Sequence, residues 1–188
     1  MKNFLLGLLA FVMLSSNVLA MFHVEPYVGF ATGEEDTNDP NPDEYSGMGF
    51  GLRAGYKYLG AIVGATYDSQ TITAKSTEPG STSADFDFKG TNMGAVLGYE
   101  FPVGLRLWVS YYLDAKFEVD TGLLSGAEFS GKGYAIGVGY SVIPMILSLN
   151  AEVKSFDYDE FTYQGTTLNL NNSGASYYFL SVSAPLSF

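Results

Sequence analysis

Residues 105–118 read LRLWVSYYLDAKFE. Leu105, Leu107, Val109, Tyr111, Leu113, Ala115 and Phe117 share one parity, and Arg106, Trp108, Ser110, Tyr112, Asp114, Lys116 and Glu118 share the other. A period of two is that of a β-strand, whose successive side chains face opposite ways. The same alternation recurs over residues 22–31, 47–57, 61–68, 92–101, 133–142, 145–154 and 178–188, and helical spacing appears nowhere convincingly. Short links around Tyr58–Gly60, Pro102–Gly104 and Ile143–Pro144 alternate with long polar ones at Thr32–Tyr45, Lys75–Asp85, Asp120–Glu128 and Asp159–Ser173. The expected fold is all-β: an up-and-down antiparallel barrel of eight strands with one plain rim and one decorated rim.

The chain has 188 residues and no Cys, so disulfides, thiolate metal sites and thiol catalysis are excluded together. Its net charge of −11 argues against a nucleic-acid partner held by a basic surface. Residues 1–20 have the form of a cleaved secretory signal: Lys2, an apolar run Phe4–Met13, and Val18-Leu19-Ala20 at the cleavage site. That run is about half of the roughly 20 residues a membrane-spanning helix needs. Lys2 is the only charge it contains, so its removal takes the net charge from −11 to −12 and leaves 21–188 as a single domain.

Which face meets what decides the environment. The apolar parity carries no charge at all, whereas the other mixes Gly, Ser and Ala with Glu25, Arg53, Lys57, Asp68, Glu100, Arg106, Asp114, Lys116, Glu118, Glu152 and Lys154. A water-facing exterior would be rich in Lys and Glu, and its glycines would only weaken the strands. A narrow interior uses the same residues well, because small side chains make room for large ones and opposite charges pair. The apolar face then points outward into lipid, where a midplane charge costs about 2–4 kcal/mol. Aromatic residues mark both ends of this belt: Phe22, Tyr56, Tyr99, Phe101, Tyr140 and Phe188 at one, and Phe30, Tyr67, Phe117, Tyr134 and Tyr178 at the other. The eleven charges are expected to form a structural network in the lumen.

The last segment is the most specific. Tyr178, Leu180, Val182, Ala184, Leu186 and terminal Phe188 alternate and end on an aromatic residue. Here the chain resembles the small eight-stranded outer-membrane barrels of Gram-negative bacteria, the OmpA/OmpX-type and opacity-protein-like group. That resemblance implies an outer-membrane location with periplasmic termini, and a monomer surrounded by lipid and lipopolysaccharide. It also implies that the insertion machinery reads Tyr178, Leu180, Val182, Leu186 and Phe188 during assembly.

A barrel of this size is filled by its own side chains. The expected function is a non-enzymatic scaffold that presents four extracellular loops to a host or prey surface ligand, with no cofactor. The alternatives are a narrow conduit for small hydrophobic compounds, resembling OmpW-type barrels, and an outer-leaflet lipid-modifying enzyme. The only histidine, His23, falls at the periplasmic rim, the wrong end for lipid chemistry at the cell surface. The first long connection is acidic, with Glu34, Glu35, Asp36, Asp39, Asp43 and Glu44. Pro40, Pro42 and the missing central Gly depart from a calcium loop, so a solvated surface segment is expected. Two details strain the pattern. Pro26 and Pro185 lie where the first and last strands must pair, which predicts a bulge or gap. Phe86 and Phe88 are out of phase with Met93, which predicts either a bulge near Gly90 or an extension beyond the membrane.

Overall fold

A computed structural model describes residues 21–34, 44–76, 84–121 and 125–188. Residues 1–20, expected as a cleaved signal, and most of the acidic first connection lie outside the described residues. Eight long strands run in chain order: β1 (Met21–Glu34), β2 (Glu44–Tyr58), β3 (Ala61–Ser76), β4 (Ala84–Glu100), β5 (Leu105–Val119), β6 (Glu128–Ile143), β7 (Leu147–Tyr163) and β8 (Thr166–Ser183). A two-residue β9 (Leu186–Ser187) continues the last of them. Each long strand pairs antiparallel with its neighbour in sequence, and β1 pairs with both β2 and β8, so the sheet closes into a barrel.

The glycines of the inner face act as sockets. A Cβ on Gly137 would collide with the Trp108 indole, one on Gly51 with the Tyr27 ring, and one on Gly133 with Phe156. Each bare backbone patch therefore admits a large ring from another strand, which is how so narrow a lumen packs.

The closing seam is the shortest pairing. β1 and β8 share six partner pairs, Tyr27↔Ser183 to Thr32↔Tyr178, before β9 resumes at Val24↔Leu186 in the same register. Phe22 and Phe188 exchange two backbone hydrogen bonds, at 2.9 and 3.0 Å, while Ala184 N donates to Pro26 O at 3.0 Å without return. Pro26 lacks the N–H that would complete that pair. The seam thus carries a local gap and no bulge, and the register runs straight through it.

Two expectations need correction, and of the two alternatives for Phe86 and Phe88 the longer strand holds. The segment Asp159–Ser173, expected as a loop, is mostly ladder: Tyr163 pairs with Thr166 across a two-residue turn, Gln164–Gly165, with φ of 49° and 78°. One irregularity, between Tyr158 and Glu160, interrupts that hairpin. β4 has no bulge near Gly90, since it pairs with β3 in unbroken register from Ala84 to Tyr99. The bulge lies in β5: Met93 pairs with Asp114 and Gly94 with Tyr112, which leaves Leu113 as the extra residue. Leu113 and Asp114 both face outward, and Ala115, Phe117 and Val119 turn inward and are buried. Asp114, Lys116 and Glu118 therefore stand on the outer wall and are not lumen residues. The alternation in identity continues across the bulge while the faces exchange.

Candidate functional site

The interior is layered along the barrel axis, and the strand pleat delivers each layer. Near the short-turn end, β1 contributes Glu25, β2 Arg53, β5 Arg106 and β7 Glu152, all buried. Arg106 Nη2 lies 2.7 Å from Glu25, Arg53 Nη1 3.4 Å from Glu25, and Arg53 Nη2 2.5 Å from Glu152. The Ser183 hydroxyl donates to Glu25 at 2.5 Å, and Arg106 donates to Asn150 at 3.0 Å. The Arg53 guanidinium is clamped between two rings, 4.4 Å from the Tyr27 centroid and 4.5 Å from that of Trp108.

Asp68 organises the next layer. It receives Lys154 Nζ at 2.9 Å, Tyr112 Oη at 2.8 Å, Asn92 Nδ2 at 2.7 Å and Tyr27 Oη at 3.4 Å. Lys154 is itself buried, with its ammonium 4.5 Å from the Phe179 centroid. Above it Gln70 donates to Tyr177, and the lumen turns aromatic: Phe117, Phe156, Tyr158, Tyr177 and Phe179 pack together, with Phe88 and Phe129 leaning on them. The column continues past the end of the ionic layers, from Phe117 to Tyr158 at 5.8 Å, to Phe129 at 6.1 Å, and on to Phe161 at 5.0 Å.

Of the eleven predicted lumen charges, Glu25, Arg53, Asp68, Arg106, Glu152 and Lys154 are thus buried in contact networks. Lys57 and Glu100 pair with each other at 3.0 Å at the short-turn mouth. Lys116 instead meets Glu128 at 3.5 Å on the outer wall. The aromatic cap was missed in sequence except for the odd phase of Phe86 and Phe88, which was its available signal.

The six buried ions carry three charges of each sign and cancel. Setting aside Glu25, Asp68, Glu100 and Glu152 leaves sixteen of the 20 acids; setting aside Lys2, Arg53, Lys57, Arg106 and Lys154 leaves four of the nine bases. All of those sixteen acids and four lysines fall, by sequence position, in or beside the long connections.

His23 lies within 3.1 Å of Ser187 Oγ through Nδ1 and 3.8 Å of Glu25 through Nε2, an acid–base–hydroxyl grouping. The adjoining cavity, lined by His23, Glu25, Arg53, Arg106 and Trp108 among others, holds ≈ 10 Å³, about the room for one water and none for an acyl substrate. Among the described residues, no group of His, Asp and Glu is placed to hold a metal ion. Tyr178, Leu180, Val182, Leu186 and Phe188 all point outward, with Phe188 stacked on Phe22 at 6.5 Å.

No protein-family model and no curated protein matches the chain. Among solved structures, it is similar to Neisserial surface protein A, at 19% identity over 88% of this chain and 98% of that one, with a TM-score of 0.49. It is also similar to Ail, the attachment invasion locus protein of Yersinia pestis, at 12% identity over 90% and 98%, TM-score 0.43. The β domain of the Bordetella autotransporter BrkA follows at 18% identity over 85% and 69%, TM-score 0.37.

Proposed function

We propose that the mature chain, freed of residues 1–20, spans the bacterial outer membrane as a sealed barrel. Its work is done at the long-connection rim, as a surface scaffold that engages a host or prey ligand. The observation that carries this reading is the filled lumen beneath an apolar outer wall. Two ionic layers and an aromatic cap occupy the interior, while Val28, Phe50, Val63, Leu97, Val109, Ile136, Leu149 and Val182 stand exposed outside. In water such a surface would aggregate; in lipid it is the required one. Closure of the sheet removes the free edges that hydrocarbon does not tolerate.

The exchange of faces in β5 fits the same picture. Inside the bilayer apolar side chains face out, and above it they must face in, so the Leu113 bulge marks where the wall leaves lipid. Termini then lie in the periplasm, lipid and lipopolysaccharide surround a monomer, and Tyr178 to Phe188 serve the insertion machinery. The acidic rim favours a basic ligand surface. No catalysis is assigned, because the His23 grouping has no room for substrate.

Planar-bilayer recording with the purified protein tests the sealed lumen, and sustained reproducible opening would return the conduit reading. Lipid A mass spectra from cells with and without the protein should coincide; a mass difference would restore the enzyme reading.

A further inference from the structure

Two of the three short turns run against their backbone's preference; the third places Gly104 at its positive φ. Leu59 (φ 51°) and Met145 (φ 61°) hold the left-handed conformation that favours Gly, Asn or Asp. The outer hairpin meets the same demand with the polar pair Gln164 and Gly165. A turn in water gains nothing from Leu or Met at such a position and gives up conformational energy. The other turn residues are equally apolar: Val103 is 73% exposed and Ile146 65%. Residues 58–61, 101–105 and 142–147 contain no charged side chain. Of the ions that adjoin these segments in sequence, Lys57 and Glu100 are half-buried and spent on each other, and Arg106 is buried against Glu25. The apolar outer wall therefore continues without a polar break into the turn tips.

We propose that this rim is seated within the inner leaflet of the outer membrane, with Leu59, Val103, Met145 and Ile146 embedded among phospholipid chains instead of projecting into the periplasm. The inference rests on the membrane-barrel reading and adds its depth. Lipid is the occupant because the surface is continuous with the lipid-facing belt. A protein-binding patch would be bounded by a polar rim, and none of these turns supplies one.

The absence of Cys makes the test direct. Val103→Cys and Met145→Cys, with Val138→Cys in the belt and Gln164→Cys at the outer hairpin as references, each carry an environment-sensitive fluorophore in phospholipid vesicles. A heat-dependent gel shift checks that each variant is folded, and the two turn positions serve as independent reporters. The expected result is blue-shifted emission from both turn positions, quenching by nitroxide-labelled phospholipid as for Val138→Cys, and loss of the iodide quenching seen at Gln164→Cys. Iodide quenching at the turns with Val138→Cys still lipid-quenched would overturn the seating and leave the barrel in the membrane. Iodide access at Val138→Cys would overturn both. Shielding in whole cells but not in vesicles would mean that a protein covers the rim, and would also overturn the proposal.

Discussion

Replacing Arg53 with Met removes the cation shared by Glu25 and Glu152. Glu25 keeps Arg106 at 2.7 Å and the Ser183 hydroxyl at 2.5 Å, but Glu152 keeps only the Trp108 indole N–H at 3.5 Å. The lumen then holds three carboxylates against two cations in a closed interior. Breaking a buried pair from one side costs about 3–5 kcal/mol, because it strands a charge. Loss of the two ring contacts, at 4.4 and 4.5 Å, adds a share of about 0.5–2 kcal/mol each. Removing Glu152 as well, as Arg53→Met with Glu152→Met, restores neutrality but not the ring contacts. The double variant should therefore recover about 2–3 kcal/mol of the single variant's loss. The assay is reversible urea unfolding in vesicles, followed by the fluorescence of Trp108, the only tryptophan. A coupling between the two sites below about 0.5 kcal/mol, or a double variant no more stable than Arg53→Met, would refute the account of the plug.

Gly137→Ala places a methyl group on the Trp108 indole and should cost about 1–3 kcal/mol, with Trp108→Leu in the same chain recovering much of it, by the same unfolding titration. Val138→Arg or Leu149→Arg in the apolar belt should weaken insertion by about 2–4 kcal/mol, whereas Leu168→Arg on the outer hairpin should stay within about 0.5 kcal/mol. Equal losses in vesicle folding would place the belt wrongly. Asp114→Asn on the outer wall should leave stability nearly unchanged, while Asp68→Asn should lower it by about 3–5 kcal/mol by stranding Lys154; the reverse order would restore Asp114 to the lumen.

Most of the barrel was legible because an apolar outer wall around a filled interior imposes a strict period of two along each strand. Leu105–Tyr112, Tyr134–Tyr140 and Leu147–Val153 each keep one parity outward, as their alternation requires. Legibility fades where the wall rises above the belt. Ala115 and Phe117 continue the apolar parity of Leu113, so no periodicity could reveal that one extra residue had exchanged the faces. The Thr166–Asn169 run reads as a loop because its side chains are all exposed and the apolar alternation disappears, although the ladder persists. The pairing of Arg53 with Glu152, 99 residues apart, depends on barrel stagger, which side-chain identity does not encode.

The ring column from Phe117 through Tyr158 and Phe129 to Phe161 makes the β7–β8 hairpin a mast stepped into the hull and not a tether. A peptide grafted between Gln164 and Gly165 would inherit a set height and heading above the barrel. Its capture by an antibody or receptor would then forfeit less freedom than capture of the same peptide on a slack loop.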